Sequence, residues 1–199
     1  MLESITSLII NLFLVAVVHS MDCAHFNSNM GANFDLTDLI RAQDQPSYSV
    51  EDGDIPCTPY IEKNYTYIFN ICSTVALGVP SACKTMGGLS TAAALQINKN
   101  IESDPSDDWC YAVGSYSDAT TRVSLIDQND PTKGISVSYA GDFCHSPPEQ
   151  RSFTVDLVCD DRLNPMPLHA YEVSHCKYRA TIPSVYGCPL ECPVSNRCI

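Results

Sequence analysis

Eleven cysteines are the most reactive side chains of this 199-residue sequence: Cys23, Cys57, Cys72, Cys83, Cys110, Cys144, Cys159, Cys176, Cys188, Cys192 and Cys198. An odd number leaves at least one thiol free or paired outside the chain. Cys188, Cys192 and Cys198 also have a ligand-like spacing that, with His175, could hold zinc. The compartment decides between these chemistries, because disulfides persist in an oxidising lumen and disfavour the zinc site there.

Arg151 breaks the pattern of its own strand. It shares one face with Phe153 and Leu157, so the alternation aims its guanidinium toward the core. A buried arginine keeps its proton and has five donors, so it needs a carboxylate or a ligand rich in hydroxyls. The alternative is a strand-end arginine that extends to water. The same alternation predicts that Gln96, between Leu95 and Ile97, lies on the solvent face of its strand.

Nothing in the sequence points to an enzyme or a cofactor. It contains no G-x-S-x-G, H-E-x-x-H or P-loop pattern. The acidic pairs Asp107-Asp108 and Asp160-Asp161 lack the alternating ligands of a calcium loop, so we expect no metal. Eleven Lys and Arg residues against 23 Asp and Glu residues give a net charge of −12, which disfavours nucleic acid and anionic lipid as partners.

The first 20 residues predict the compartment. The stretch from Ser4 to Val18 is uncharged, and its apolar run ends before His19-Ser20, as in a secretory signal peptide with a small-residue cleavage site. An uncleaved anchor stays open, because the region before the run carries Glu3 and no basic residue. No second apolar stretch occurs later in the sequence, so we expect a soluble chain without a membrane span. It would lie outside the cell or in the lumen of the secretory pathway, which includes Golgi, endosome and lysosome.

The elements that carry these residues have a period of two, which is typical of half-buried strands. Such runs occur at Tyr65–Ile71, Leu95–Asn98, Val123–Leu125, Ile135–Tyr139 and Phe153–Cys159, with turns rich in Pro, Gly, Asn and Asp between them. Only Asp35–Ala42 is predicted as a short helix. The pattern predicts an all-β domain, a flattened β-barrel or sandwich of antiparallel strands stapled by disulfides.

Three motifs in one order carry a family resemblance: Tyr65-Thr66-Tyr67-Ile68-Phe69-Asn70-Ile71-Cys72, then Leu95-Gln96-Ile97-Asn98-Lys99, then Gly134-Ile135-Ser136-Val137-Ser138-Tyr139-Ala140-Gly141 before Cys144. Together with the spacing of the later cysteines, they resemble the mannose-6-phosphate receptor homology (MRH) domain over about residues 22 to 190. Within that superfamily the chain is similar to the luminal part of the autophagy-related protein 27 family. The predicted organisation is a signal peptide over 1–20, this domain over 21–190, and a tail or further cystine segment over 191–199.

The resemblance implies a mannose site. Sugar-binding members hold mannose with a Gln, an Arg, a Glu and a Tyr, whose counterparts here are Gln96, Arg151, Glu172 and Tyr178. Arg151 and Gln96 would donate hydrogen bonds to the sugar hydroxyls, Glu172 would accept, and Tyr178 could do either. Arg151 and Glu172 would also neutralise each other in the empty site. The implied function is a lectin for mannose on N-glycans of glycoproteins, acting in their sorting or transport. The alternative is a luminal module that binds no sugar and acts through protein contacts.

The phosphate loop of the mannose 6-phosphate receptors is not matched. Here the stretch before Cys144 is Ala140-Gly141-Asp142-Phe143, which lacks the Asn and His of that loop, while His145 comes after the cysteine. Asp142 would repel a phosphate, so we predict a preference for neutral mannose. The paired Trp residues of some members are also absent, since Trp109 is the only Trp.

The same resemblance implies the disulfides Cys23–Cys72, Cys144–Cys176, Cys159–Cys188 and Cys83–Cys110. Asn64-Tyr65-Thr66 is the only N-glycosylation sequon, which makes Asn64 the predicted glycan attachment site. The sequence leaves open whether the chain forms a homodimer, which partner the odd cysteine has, and whether a membrane span or further cystine module comes after Ile199.

Overall fold

A computed structural model describes residues 22–53, 65–84, 89–98, 110–144 and 148–191. Eleven strands account for most of them: β1 His25–Asn27, β2 Asn33–Asp35, β3 Tyr48–Glu51, β4 Tyr65–Phe69, β5 Ala92–Asn98, β6 Cys110–Ser115, β7 Arg122–Asp127, β8 Asp130–Phe143, β9 Gln150–Cys159, β10 His169–Ser174 and β11 Lys177–Ser184. The predicted signal peptide, the predicted glycan attachment site Asn64, His145, Trp109 and residues 192–199 lie outside the described residues.

Nine strands form one sheet that curls into a nearly closed barrel. The strand order is β10-β11-β9-β8-β6-β5-β4-β3, with β7 paired to β8 beside this path, while β1 and β2 form a separate hairpin. The two ends of the path meet where the Gly53 N–H donates to the Ala170 carbonyl at 2.9 Å. The prediction of an all-β barrel is confirmed. One pairing is not antiparallel, because β11 runs parallel to β9.

The barrel interior holds the predicted apolar face of each strand. Tyr67, Phe69, Tyr139 and Phe153 are among its largest side chains, and all are buried. Each large side chain contributes about 1.5–3 kcal/mol when it leaves water. The Phe69 and Phe153 rings lie 5.2 Å apart between centroids, in a tilted arrangement that favours contact between a ring edge and a ring face.

A second apolar cluster covers the outside of β5. It contains Leu95, Ile97, Cys83 and Cys110, and every residue of β5 is buried. Ser81–Lys84, a single α-helical turn, supplies Cys83 to this cover. Because Leu95 and Ile97 belong to this outer cluster, Gln96 between them points into the barrel instead of toward solvent.

The predicted helix over Asp35–Ala42 is wrong. Only one 3₁₀ turn forms, at Thr37–Leu39, and Ile40 is already extended. A segment this short cannot offset the cost of helix nucleation. The backbone of Arg41 is also bonded outside any helix. Its N–H donates to the Asn70 side chain at 3.0 Å, and its carbonyl accepts from that side chain at 2.8 Å.

Four disulfides join the described strands and turns: Cys23–Cys72, Cys83–Cys110, Cys144–Cys176 and Cys159–Cys188. They are the same four pairs that the family resemblance implies. Cys144–Cys176 ties the end of β8 to the turn between β10 and β11. Cys159–Cys188 holds the segment after β11 against the end of β9.

Candidate functional site

One end of the barrel collects the residues that the resemblance places in a sugar site. At this end β3, β5, β8 and β10 finish and their successors β4, β6, β9 and β11 begin. The strand register places three of the side chains side by side, since Gln96 lies opposite Tyr67 of β4 and opposite Tyr111 of β6. Directly paired residues face the same side of a sheet, so these three side chains point into the barrel.

Arg151, the second residue of β9, is buried at this end with 7% of its surface exposed. Its Nη1 donates to the Tyr178 hydroxyl at 2.7 Å, and its Cζ lies 4.3 Å from the centroid of the Tyr111 ring. Its Nε–H is buried and has no hydrogen-bond partner. The inward direction predicted from alternation is therefore the observed one, and the alternative of an arginine that extends to water is wrong.

Gln96 also lies inside the barrel, with 4% of its surface exposed. The prediction of Gln96 as a residue of the solvent face is wrong. The outer face of β5 carries Leu95 and Ile97 and is covered by the second apolar cluster, so Gln96 faces the barrel interior. Its Nε2 donates to the Tyr67 hydroxyl at 3.2 Å. The Tyr67 ring lies 5.9 Å from the Tyr178 ring, so the two tyrosines connect Gln96 to Arg151.

Glu172 and Tyr178 lie directly opposite each other in the β10–β11 hairpin. The chain reverses at the turn between them, where Cys176 has a positive φ of 61°. The Glu172 carboxylate accepts a hydrogen bond from the Cys176 backbone N–H in that turn. The predicted Arg151–Glu172 ion pair is absent, because the guanidinium bonds to Tyr178 and the carboxylate bonds to the turn.

Burial sets the protonation of the two site tyrosines. Loss of water is the main cause that raises the pKa of the Tyr178 and Tyr67 hydroxyls far above their usual range. The next cause is a neighbouring carboxylate, Glu172 for Tyr178 and Asp52 for Tyr67. Both tyrosines therefore remain neutral at physiological pH and can each donate and accept a hydrogen bond.

The structure offers no free thiol set for the zinc alternative among its described residues. Cys188 is bonded to Cys159, and Cys192 and Cys198 lie outside the described residues. His175 comes within 4.8 Å of the sulfurs of Cys144 and Cys176, but the disulfide uses both sulfurs.

Three residues of this barrel end were not singled out by the sequence: Tyr67, Tyr111 and Asp52. Tyr67 follows the inward alternation of β4, which predicts a core residue and nothing more. Asp52 belongs to an acidic segment that reads as a turn. Tyr111 has no local signal, since only the register between β5 and β6 brings it beside Gln96.

A β-barrel held by four disulfides, with buried polar side chains at one end, is a domain built for the oxidising environment of the secretory pathway or the cell exterior. The family model for autophagy-related protein 27 matches residues 6–193. The chain therefore belongs to the autophagy-related protein 27 family. Among the described residues, no helix has the length and apolar character needed to cross a membrane.

The comparison with solved structures found the MRH domain of Yos9 complexed with α3,α6-Man5. The match has 13% sequence identity and a TM-score of 0.37, and it covers 61% of this chain and 69% of that chain. None of the curated proteins matches the sequence significantly.

Proposed function

We propose that this domain is a lectin that binds terminal mannose on N-glycans of glycoproteins, in the lumen of the secretory or endosomal pathway, and serves their sorting or transport. The observation that carries the proposal is the buried Arg151 guanidinium, whose Nε–H has no partner. An unmet buried donor costs about 1–3 kcal/mol, and more on a charged group. A ligand that supplies hydroxyl oxygens would remove that cost.

The neighbouring groups fit a sugar better than a charged ligand. Gln96 provides an amide, Tyr67 and Tyr178 provide neutral hydroxyls, and Glu172 provides an acceptor, which together match the mixed donors and acceptors of a pyranose. Under this proposal Gln96 and Arg151 meet the axial 2-hydroxyl of mannose. An equatorial hydroxyl, as in glucose, would leave the buried donors unpaired, so glucose should bind more weakly.

The charge around the site supports neutral mannose as the ligand. Asp52 and Glu172 place two carboxylates near Tyr67, and Asp142 is exposed at the end of β8. These carboxylates would repel a phosphate group bound at this end of the barrel. We expect mannose 6-phosphate to bind more weakly than mannose, and tighter binding in a titration would contradict this. The proposal includes no catalysis and no metal.

One observation favours the alternative of a luminal module that acts through protein contacts. Part of the hydrogen-bonding capacity of each candidate residue is already used inside the protein, as Gln96 bonds to Tyr67, Arg151 to Tyr178 and Glu172 to Cys176. Such pairs could serve only to hold the barrel end together. In that case substitutions would change stability and no sugar would bind.

A glycan array probed with the oxidised domain separates the two functions. We expect mannose-terminated glycans to bind to the wild-type domain and binding to be lost in Arg151→Ala. The matched control is Arg162→Ala, which removes an exposed arginine in the segment after β9. No binding by a wild-type domain shown to be folded would contradict the lectin proposal. Binding retained in Arg151→Ala, or lost in both variants, would contradict the placement of the site at Arg151.

A further inference from the structure

The guanidinium of Arg151 is held by two groups on different strands. Tyr178 of β11 accepts from Nη1 at 2.7 Å, and the Cζ of the guanidinium lies over the Tyr111 ring of β6, 4.3 Å from the ring centroid. A cation at this distance from an aromatic face is attracted by the negative charge density of the ring. The guanidinium therefore has two contacts on different strands, a hydrogen bond to Tyr178 and an aromatic contact with Tyr111.

Tyr111 also lies beside a second candidate residue. It is the direct register partner of Gln96 across β5 and β6. The two side chains thus emerge at the same level on the inner face of the sheet. Tyr111 is therefore the register neighbour of Gln96 and in contact with Arg151, the two residues that would both have to meet one sugar ring.

We propose that Tyr111 is a positioning residue of the sugar site, which sets the plane and direction of the Arg151 guanidinium for vicinal hydroxyls of the ligand. This inference rests on the proposed lectin function. Arginine has a long flexible side chain, and recognition by its planar fork depends on orientation as well as charge. Without the ring, the guanidinium could rotate about its bond to Tyr178, and fewer of its donors would face the ligand together.

Loss of the Tyr111 hydroxyl and loss of the whole ring should have different effects on binding. Tyr111→Phe keeps the aromatic face, so it should bind the probe methyl α-mannoside within about twofold of wild type. Tyr111→Leu removes that face, so it should bind the probe about tenfold more weakly, a scale typical of a partly buried cation–π contact. Tyr171→Leu is the matched control, because it removes a half-buried tyrosine next to Glu172 that faces the other side of β10.

The test combines a measurement without sugar and a titration with sugar. In ¹⁵N-edited NMR spectra of the sugar-free domain, the ring current of Tyr111 should shift the Arg151 Nε–H proton. The shift should persist in Tyr111→Phe and Tyr171→Leu and disappear in Tyr111→Leu. Titration of the same samples with methyl α-mannoside then measures affinity, and the dispersion of the spectra confirms folding.

The outcomes distinguish this inference from the proposed function. A lost shift with about tenfold weaker binding in Tyr111→Leu, both restored in Tyr111→Phe, supports the positioning role. An unchanged Arg151 shift in Tyr111→Leu, equal weakening in Tyr111→Phe, or wild-type affinity in Tyr111→Leu overturns it. No binding by the wild-type domain would instead contradict the lectin function, and with it the ligand-directed role of Tyr111.

Discussion

Removal of two disulfides of similar loop length should separate stability from function. Cys144–Cys176 spans 32 residues and Cys83–Cys110 spans 27. In the chain-entropy model these loops contribute about 3.7 and about 3.6 kcal/mol to the free energy of unfolding. The double variants Cys144→Ser/Cys176→Ser and Cys83→Ser/Cys110→Ser should therefore lose nearly equal stability in urea unfolding.

Their effects on ligand binding should differ. Cys176 lies in the turn whose backbone N–H holds the Glu172 carboxylate, and the carbonyl of Cys176 accepts from the Ser152 N–H at 3.0 Å, next to Arg151. Cys83 and Cys110 lie in the outer cluster over β5. We expect at least tenfold weaker binding of methyl α-mannoside without Cys144–Cys176, and less than threefold change without Cys83–Cys110. Equal binding by the two folded variants would refute the link between this disulfide and the site.

Three further changes test the fold and its electrostatics. Gly134→Ala should lower the free energy of unfolding by at least about 2 kcal/mol, because φ is +109° and a Cβ would lie 2.1 Å from the Leu157 carbonyl oxygen. A loss below about 1 kcal/mol in urea unfolding would contradict the β8–β9 register. Tyr139→Phe should cost about 1–3 kcal/mol in the same assay, since it leaves the buried Cys72 N–H and Asn70 carbonyl without the hydroxyl that they share. The hydrogen bond to Asp22 raises the pKa of His25 above 6.5, so the β1–β2 hairpin should have extra stability below pH 6.5 that is lost as the pH rises through the folded pKa. An NMR titration in which Asp22→Asn leaves the His25 pKa unchanged would contradict that cause.

The strands were predictable because their side chains alternate between two environments. Phe153, Val155 and Leu157 are buried in the barrel, and the same alternation gave the direction of Arg151. The same pattern wrongly predicts Gln96 on a solvent face, because β5 is covered on both faces and has no solvent face. That cover comes from the Cys83 segment, which a local pattern cannot reveal.

The contacts at the barrel end could not be predicted from spacing alone. The resemblance supplied Glu172 and Tyr178, but it implied an ion pair between Glu172 and Arg151 that does not form. The Cys176 N–H competes for the carboxylate, and that turn geometry has no signature in the sequence. Tyr111 meets Arg151 only through the order β9-β8-β6 of the sheet, which is a long-range property of the fold.

The most direct test of the lectin account is a calorimetric titration of the oxidised domain with methyl α-mannoside and, separately, with methyl α-glucoside. The two sugars differ only in the 2-hydroxyl that Gln96 and Arg151 are proposed to meet. The account predicts saturable binding of the mannoside at one site and at least tenfold weaker binding of the glucoside. Equal affinity for both sugars, or no heat from either with a folded domain, would contradict it.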